Sequence, residues 1–274
     1  EMISLQGKTN FFEKRVGEVL TGTVLRSESN GRIALRFLDK TDAYLFRREQ
    51  IPGENFSYGD HIRVYLMDVN NNPQKPSQLS ISRTHPGLLI KLFEMEVPEI
   101  YDGIVKIVSA AREPGKRAKI SVYSTDPDVD PVGSCVGIRG SRVQNIVNEL
   151  YGEKIDIVRW NEDVAVYTTN SLAPAVIDEL VIDEEAGEID VIVKQDQLSL
   201  AIGSKGQNVR LASRLVGYKI NISVDEEEAP SIEEQLTREL ERGKEERELL
   251  YTGITSGLHA AGTPAAVSYT HLRA

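Results

Sequence analysis

Two short segments place glycines and a cation at one spacing: Gly137-Ile138-Arg139-Gly140 and Gly203-Ser204-Lys205-Gly206. A phosphate-bearing chain can lie close against a protein backbone only where Cβ atoms are missing, which is what glycine provides. A helix is expected to start directly after each loop, turning its unpaired N–H groups and positive dipole end toward the same phosphates. Arg139 and Arg142 add charge at the first loop, as do Lys205 and Arg210 at the second. Val136, Ile138 and Val143, with Ile202 and Val209, are candidate apolar walls for a groove that holds bases. The chemistry this implies is a non-covalent clamp on a single-stranded nucleic-acid backbone. A lone Gly-x-x-Gly is read equally well as a tight turn between two helices, so the weight rests on repetition.

The surrounding sequence repeats. Residues 132–158 (VGSCVGIRGSRVQNIVNELYGEKIDIV) run parallel to residues 197–223 (QLSLAIGSKGQNVRLASRLVGYKINIS). Gly137, Gly140 and Val143 align with Gly203, Gly206 and Val209, whereas Lys154, Ile155 and Ile157 align with Lys219, Ile220 and Ile222 one residue out of step. Each copy reads as helix, loop, helix, turn, strand, and two copies point to tandem domains. Helix, Gly-x-x-Gly and helix form the loop clamp of the KH module, which grips about four nucleotides.

Other glycine-loop chemistries fail on spacing. Gly206 is followed by Gln207-Asn208 where a Walker loop needs Lys-Ser/Thr, and Gly133, Gly137 and Gly140 do not make G-x-G-x-x-G. The single cysteine, Cys135, excludes an internal disulfide and a multi-cysteine zinc site, and its apolar neighbours suit packing rather than catalysis. Neither a cofactor nor a metal is expected. No apolar run reaches the roughly 20 residues that span a bilayer, so a cytoplasmic chain without membrane contact is expected. The net charge of −10 opposes nucleic acid until it is divided: residues 225–248 hold eleven acidic and four basic residues, leaving −3 for the rest. A near-neutral domain can bind RNA where its cations converge on one surface.

Ahead of the repeats, residues 16–24, 32–38, 44–48, 62–69 and 79–82 read as short strands between turn signals. That count fits a five-stranded OB-type barrel, and a sandwich fragment fits nearly as well. Phe37, Tyr44, Phe46, His61 and Tyr65, with Arg36, Arg47 and Arg48, could stack and neutralise a single strand there; at least half of those aromatics must be core. Residues 88–95 suit a connecting helix. Ser231 and Glu234 open an acidic helix by a capping box, and residues 266–274 have the look of vector-derived sequence.

With this order of elements the chain resembles the bacterial NusA family of transcription elongation, termination and antitermination factors. The resemblance covers about residues 15–224 and is most specific at 47–54 (RREQIPGE), 97–115 (VPEIYDGIVKIVSAAREPG), 130–160 and 201–222. It implies an α+β multidomain chain: an S1 barrel at 15–84, type II KH domains at 85–170 and 171–224, and a rigid arrangement along one RNA path. Residues 1–14 would be a remnant of a polymerase-binding domain, and 225–274 an acidic helix and tail. It implies a monomeric, non-enzymatic regulator that grips single-stranded nascent RNA. RNA polymerase, bound mainly through a domain largely missing here, and other antitermination factors would be its partners. The expected barrel contacts are Arg36, Tyr44, Phe46 and Arg48. A protein-interaction scaffold, or the accessory RNA-binding part of an RNA-degrading enzyme, are the alternatives.

Overall fold

A period-two pattern of burial builds the first module. β1 (Val19–Ser27) buries Leu20 and Val24, and β4 (His61–Val69) buries Ile62, Val64 and Leu66, with polar residues between them facing out. With β2 (Ile33–Arg36), β3 (Asp42–Leu45) and β5 (Leu79–Ser82) they form an antiparallel sheet in the order β3-β2-β1-β4-β5. β3 returns against β5, so the sheet nearly closes into the OB-type barrel, and the sandwich alternative drops out. Register shifts between Val24 and Arg26 and between Leu66 and Asp68 bend the strands for closure. Gly22 makes room for the core ring of Phe37, which a Cβ would meet at 3.1 Å. The third expected strand is shorter than its pattern suggested: it ends at Leu45, and Arg47–Glu49 form a 3-10 turn. Gln50 Nε2 donates to the carbonyls of Leu45 (2.9 Å) and Gly31 (2.8 Å), replacing the ladder bonds a longer strand would have made.

This architecture comes from a computed structural model that describes residues 11–38, 40–70 and 78–224. Residues 1–10, 39, 71–77 and 225–274 lie outside the described residues, and with them the turn expected at 71–73 and the expected acidic helix and tail.

After the barrel, α1 (Pro86–Glu96) opens with proline at its first position, and the His85 side chain accepts from the Gly87 N–H at 3.0 Å. α2 (Pro98–Tyr101), β6 (Val105–Glu113), β7 (Arg117–Ser124), α3 (Pro131–Val136), α4 (Ser141–Glu149) and β8 (Lys154–Arg159) follow. Central β7 runs antiparallel to β6 and parallel to β8. A parallel pair requires a crossover, and α3, the first glycine loop and α4 are that crossover. The plan repeats in α5 (Val164–Leu172), β9 (Glu179–Asp183), β10 (Glu188–Val193), α6 (Leu198–Ile202), α7 (Gln207–Val216) and β11 (Lys219–Val224), where β10 is antiparallel to β9 and parallel to β11. Both copies therefore have the α-β-β-α-α-β order of the type II KH module, and both carry their loop at the same topological point.

Charge and apolar packing join the modules, and the described residues up to Val224 form one compact unit. Ile51 of the barrel belongs to the first KH core with Leu89, Phe93, Ile120 and Leu150. Arg83, almost fully buried, bonds Glu54 at 2.5 Å and Glu149 at 3.2 Å across the junction. Burial opposes its charge, but Glu54 and Glu149 outweigh that and hold the guanidinium above its ordinary pKa. Arg112 and Glu153 form a second buried pair with two bonds of 2.8 Å, and Arg112 Nη1 also donates to the Arg83 and His85 carbonyls. At the other junction α7 is apolar on two sides: Ala212 faces its own core, while Leu211 and Leu215 pack with Tyr167 against Ala111 and Val158 of the first KH sheet.

Candidate nucleic-acid interface

The two glycine loops share one backbone conformation. Gly137 lies at φ 74, ψ 176 and Gly203 at φ 72, ψ 174. The cation between the glycines is left-handed in both, Arg139 at φ 54, ψ 27 and Lys205 at φ 53, ψ 32. Gly140 and Gly206 follow in the same left-handed region and cap α4 and α7. A non-glycine residue pays roughly 1–2 kcal/mol for this conformation. An exposed cation thus occupies this sparsely populated region twice, at the same place in two domains. The turn is closed identically, by Gly140 N–H to the Gly137 carbonyl and Gly206 N–H to the Gly203 carbonyl, each 3.1 Å.

The two glycines of each loop do different work. A Cβ on Gly137 would strike the Arg142 side chain at 2.6 Å, and one on Gly203 would meet the Asn208 Cβ at 2.7 Å and its backbone nitrogen at 2.9 Å. These first glycines let the chain fold onto its own helix. A Cβ on Gly140 would meet nothing within 4 Å, and on Gly206 only Arg210 Nη1 at 3.8 Å. The open space over the second glycine is where another backbone can approach.

Beneath the matching backbones the supports differ. Arg142 donates through Nη1 to the Ser134 carbonyl (2.7 Å) and to Glu99 (2.9 Å), so this residue buttresses the first loop and has its charge already answered. Its counterpart Asn208 is buried, with Nδ2 donating to the carbonyls of Leu172 (3.0 Å) and Ala201 (3.1 Å). Arg210 donates to Glu113 of the first KH domain at 2.5 Å and to the Lys205 carbonyl at 3.2 Å. Arg139, Ser204 and Lys205 are exposed, and Ile138 stands at the loop tip with 86% of its surface accessible. Of the groove candidates, Val143 and Val209 pack against their domain cores, and Val136 and Ile202 are half-buried. A concavity beside the first loop is walled by Glu99, Asp128, Asp130, Ile138 and Arg142, with Glu99 paired to Arg142 and Asp130 to Arg159. Cys135 is fully buried, and desolvation pushes its thiol up to about 12, away from nucleophilic chemistry.

On the barrel, strand alternation places Arg36 opposite Asp42 and Tyr44 opposite Ala34 on one outward face of β2 and β3. Arg36 grips Asp42 by two bonds of 2.7 and 2.8 Å, and Arg32 stacks over the Tyr44 ring at 4.3 Å. Phe46 is half-buried, and Arg48 on the following turn is exposed and lies 3.3 Å from Glu49. Phe37 belongs to the core, and Tyr65 stacks on His85 at 4.7 Å. Among the described residues, no group of three or more His, Cys, Asp or Glu side chains is placed to hold a metal ion, and no helix is long and apolar enough to cross a membrane.

Residues 83–160 match the NusA-like first KH domain, and residues 164–230 match the NusA-like second KH domain. The chain is 51% identical over 216 residues to the transcription termination/antitermination protein NusA of Halalkalibacterium halodurans, a match covering 79% of this chain and 56% of that protein. The chain is NusA-like over its S1–KH–KH region. The NusA of Bacillus subtilis is 51% identical over 211 residues, covering 77% of this chain and 56% of the relative. For Thermus thermophilus NusA the figures are 45% over 239 residues, 87% and 61%. The chain thus spans a little over half the length of these NusA relatives. Its nearly closed five-stranded barrel followed by two KH domains is the S1–KH–KH order that the resemblance implied.

Sequence reasoning found the loop tips and missed their supports. Glu99 and Glu113 lie 43 and 97 residues from the arginines they hold, and no local pattern announces either.

Proposed function

We propose that this chain is a non-enzymatic RNA-binding regulator of transcription elongation, pausing, termination and antitermination. In this reading the two KH loops and the S1 barrel grip single-stranded nascent RNA. The observation that carries it is the matched pair of left-handed loops, each presenting an exposed cation beside a glycine with open space above it. Phosphates would sit over Gly140 and Gly206, against the first turns of α4 and α7. Ile138 and Arg139, with Ser204 and Lys205, would be the contacts at the tips. Arg142 and Arg210 would act mainly by holding the loops, and Arg210 keeps part of its guanidinium edge toward solvent. The carboxylates beside the first loop would accept from base edges carrying N–H donors. Arg36, Tyr44, Phe46 and Arg48 would extend the path onto the barrel. The names of the NusA relatives support the termination and antitermination part of this reading, to which contacts with RNA polymerase and other antitermination factors, action as a monomer and a cytoplasmic location also belong.

The test changes Ile138, Arg139, Ser204 and Lys205 together to aspartate. All four are exposed, and aspartate tolerates the left-handed region better than most residues, so the fold should persist. Affinity for single-stranded RNA should fall by at least about a hundredfold, the size of a few lost or reversed charge contacts. Unchanged affinity in a folded variant would refute the loop mechanism.

A further inference from the structure

The loops match in backbone but differ in what holds them. The first is braced within its own domain, by Arg142 on the Ser134 carbonyl and Glu99. At the second loop, the residue in the Arg142 position is Asn208, and a bracing role passes to Arg210, whose counterpart in the first copy is Gln144. Gln144 turns away along its helix to bond Asn148 at 2.9 Å. Arg210 instead reaches in two directions, through Nη1 to the Lys205 carbonyl inside the loop and through Nε to Glu113 in the neighbouring domain. Glu113 uses its second oxygen to accept from Gln207, the first residue of α7, at 2.8 Å. One carboxylate at the end of β6 therefore holds the whole first turn of α7, directly behind Gly206.

We propose that Glu113, a residue of the first KH domain, is a positioning residue for the second glycine loop. It orients Arg210, Arg210 holds the Lys205 carbonyl, and that peptide fixes the direction of the backbone donors and of the Lys205 cation. The second loop is then competent only while the two KH domains are docked, whereas the first loop is competent by itself. An RNA that occupies the second loop reports on docking as well as on its own sequence. This rests on the RNA-binding reading above for its consequence, but the geometry it asserts exists without RNA.

The experiment has an RNA-free arm and an RNA arm, both on the whole chain. In the absence of RNA, Glu113→Gln should speed amide hydrogen exchange at Gly206 and Gln207 and leave Gly140 and Ser141 unchanged. Equal exchange at the second loop in both proteins would overturn the positioning role, whatever RNA does. In the RNA arm, a mixed-sequence single-stranded 12-mer is titrated against the wild type, Glu113→Gln, Lys205→Asp and the double variant. Glu113→Gln should weaken binding on the order of tenfold, and this effect should vanish in the Lys205→Asp background, as coupled sites require. A loss that persists undiminished with Lys205→Asp would overturn the proposal while leaving RNA binding intact. Absence of RNA binding by the wild type would count against the proposed function alone, since the exchange arm decides the positioning role separately.

Discussion

Replacing the two glycines of the first loop one at a time should produce two different failures. Gly137→Ala forces alanine to φ 74, ψ 176, a region close to glycine-only, and drives its Cβ to 2.6 Å from the Arg142 side chain. The backbone conformation costs about 1–3 kcal/mol. Arg142 must also move, and its bond to the Ser134 carbonyl together with its half-exposed pair to Glu99 contributes about 1 kcal/mol more. A total near 3 kcal/mol corresponds to a drop of about 6–12 °C in melting temperature for a unit of this size. Gly140→Ala meets no atom within 4 Å and carries only the left-handed penalty of about 1 kcal/mol, or about 2–4 °C. Its methyl group, however, enters the space assigned to phosphate, so RNA affinity should fall about tenfold, the loss of one charge-assisted contact. Thermal melts and RNA titration well below both midpoints separate the effects. Equal melting shifts, or wild-type affinity in Gly140→Ala, would refute the division of labour between the glycines.

Further outcomes follow from the junctions and the charges. Arg112→Met strands the fully buried Glu153 carboxylate and should cost about 3–5 kcal/mol in urea unfolding, most of it recovered by adding Glu153→Met. The hydrogen bond from Arg210 holds Glu113 below its ordinary value of 4.5 against the opposing effect of burial, with Gln207 and Arg214 assisting. A depressed folded pKa means that the contribution is complete above 4.5 and is lost as pH falls through the folded value. Wild type should therefore lose stability relative to Glu113→Gln as pH falls from 4.5 through the folded value, and a constant difference across that interval would contradict the linkage. Changing Arg139 and Lys205 together to glutamine should flatten the slope of log affinity against log salt by about 1.4, or about 0.7 per phosphate contact on a single strand.

The architecture was largely legible because it rests on local regularities. Turn residues separated the barrel strands, and the repeat fixed both loops in matched contexts. The boundary at Leu45 was misread because Tyr44, Phe46, Arg47 and Arg48 are as compatible with a strand as with the 3-10 turn that Gln50 stabilises. The loop tips were legible for the same local reason. Their supports were not: Arg142 looked like a phosphate contact, and only the fold brings it to Glu99 and Ser134. Glu113 was invisible as a site residue because its role depends on one domain docking on the next, which no pattern within either repeat encodes.

Ultraviolet crosslinking of the chain to one single-stranded RNA, mapped at residue level, tests the central claim most directly. Crosslinks at 138–140 and 204–206 on the same RNA are the predicted result, with any barrel crosslinks at Tyr44 or Phe46 continuing that path. Crosslinks confined to the barrel, with both glycine loops untouched, would contradict it.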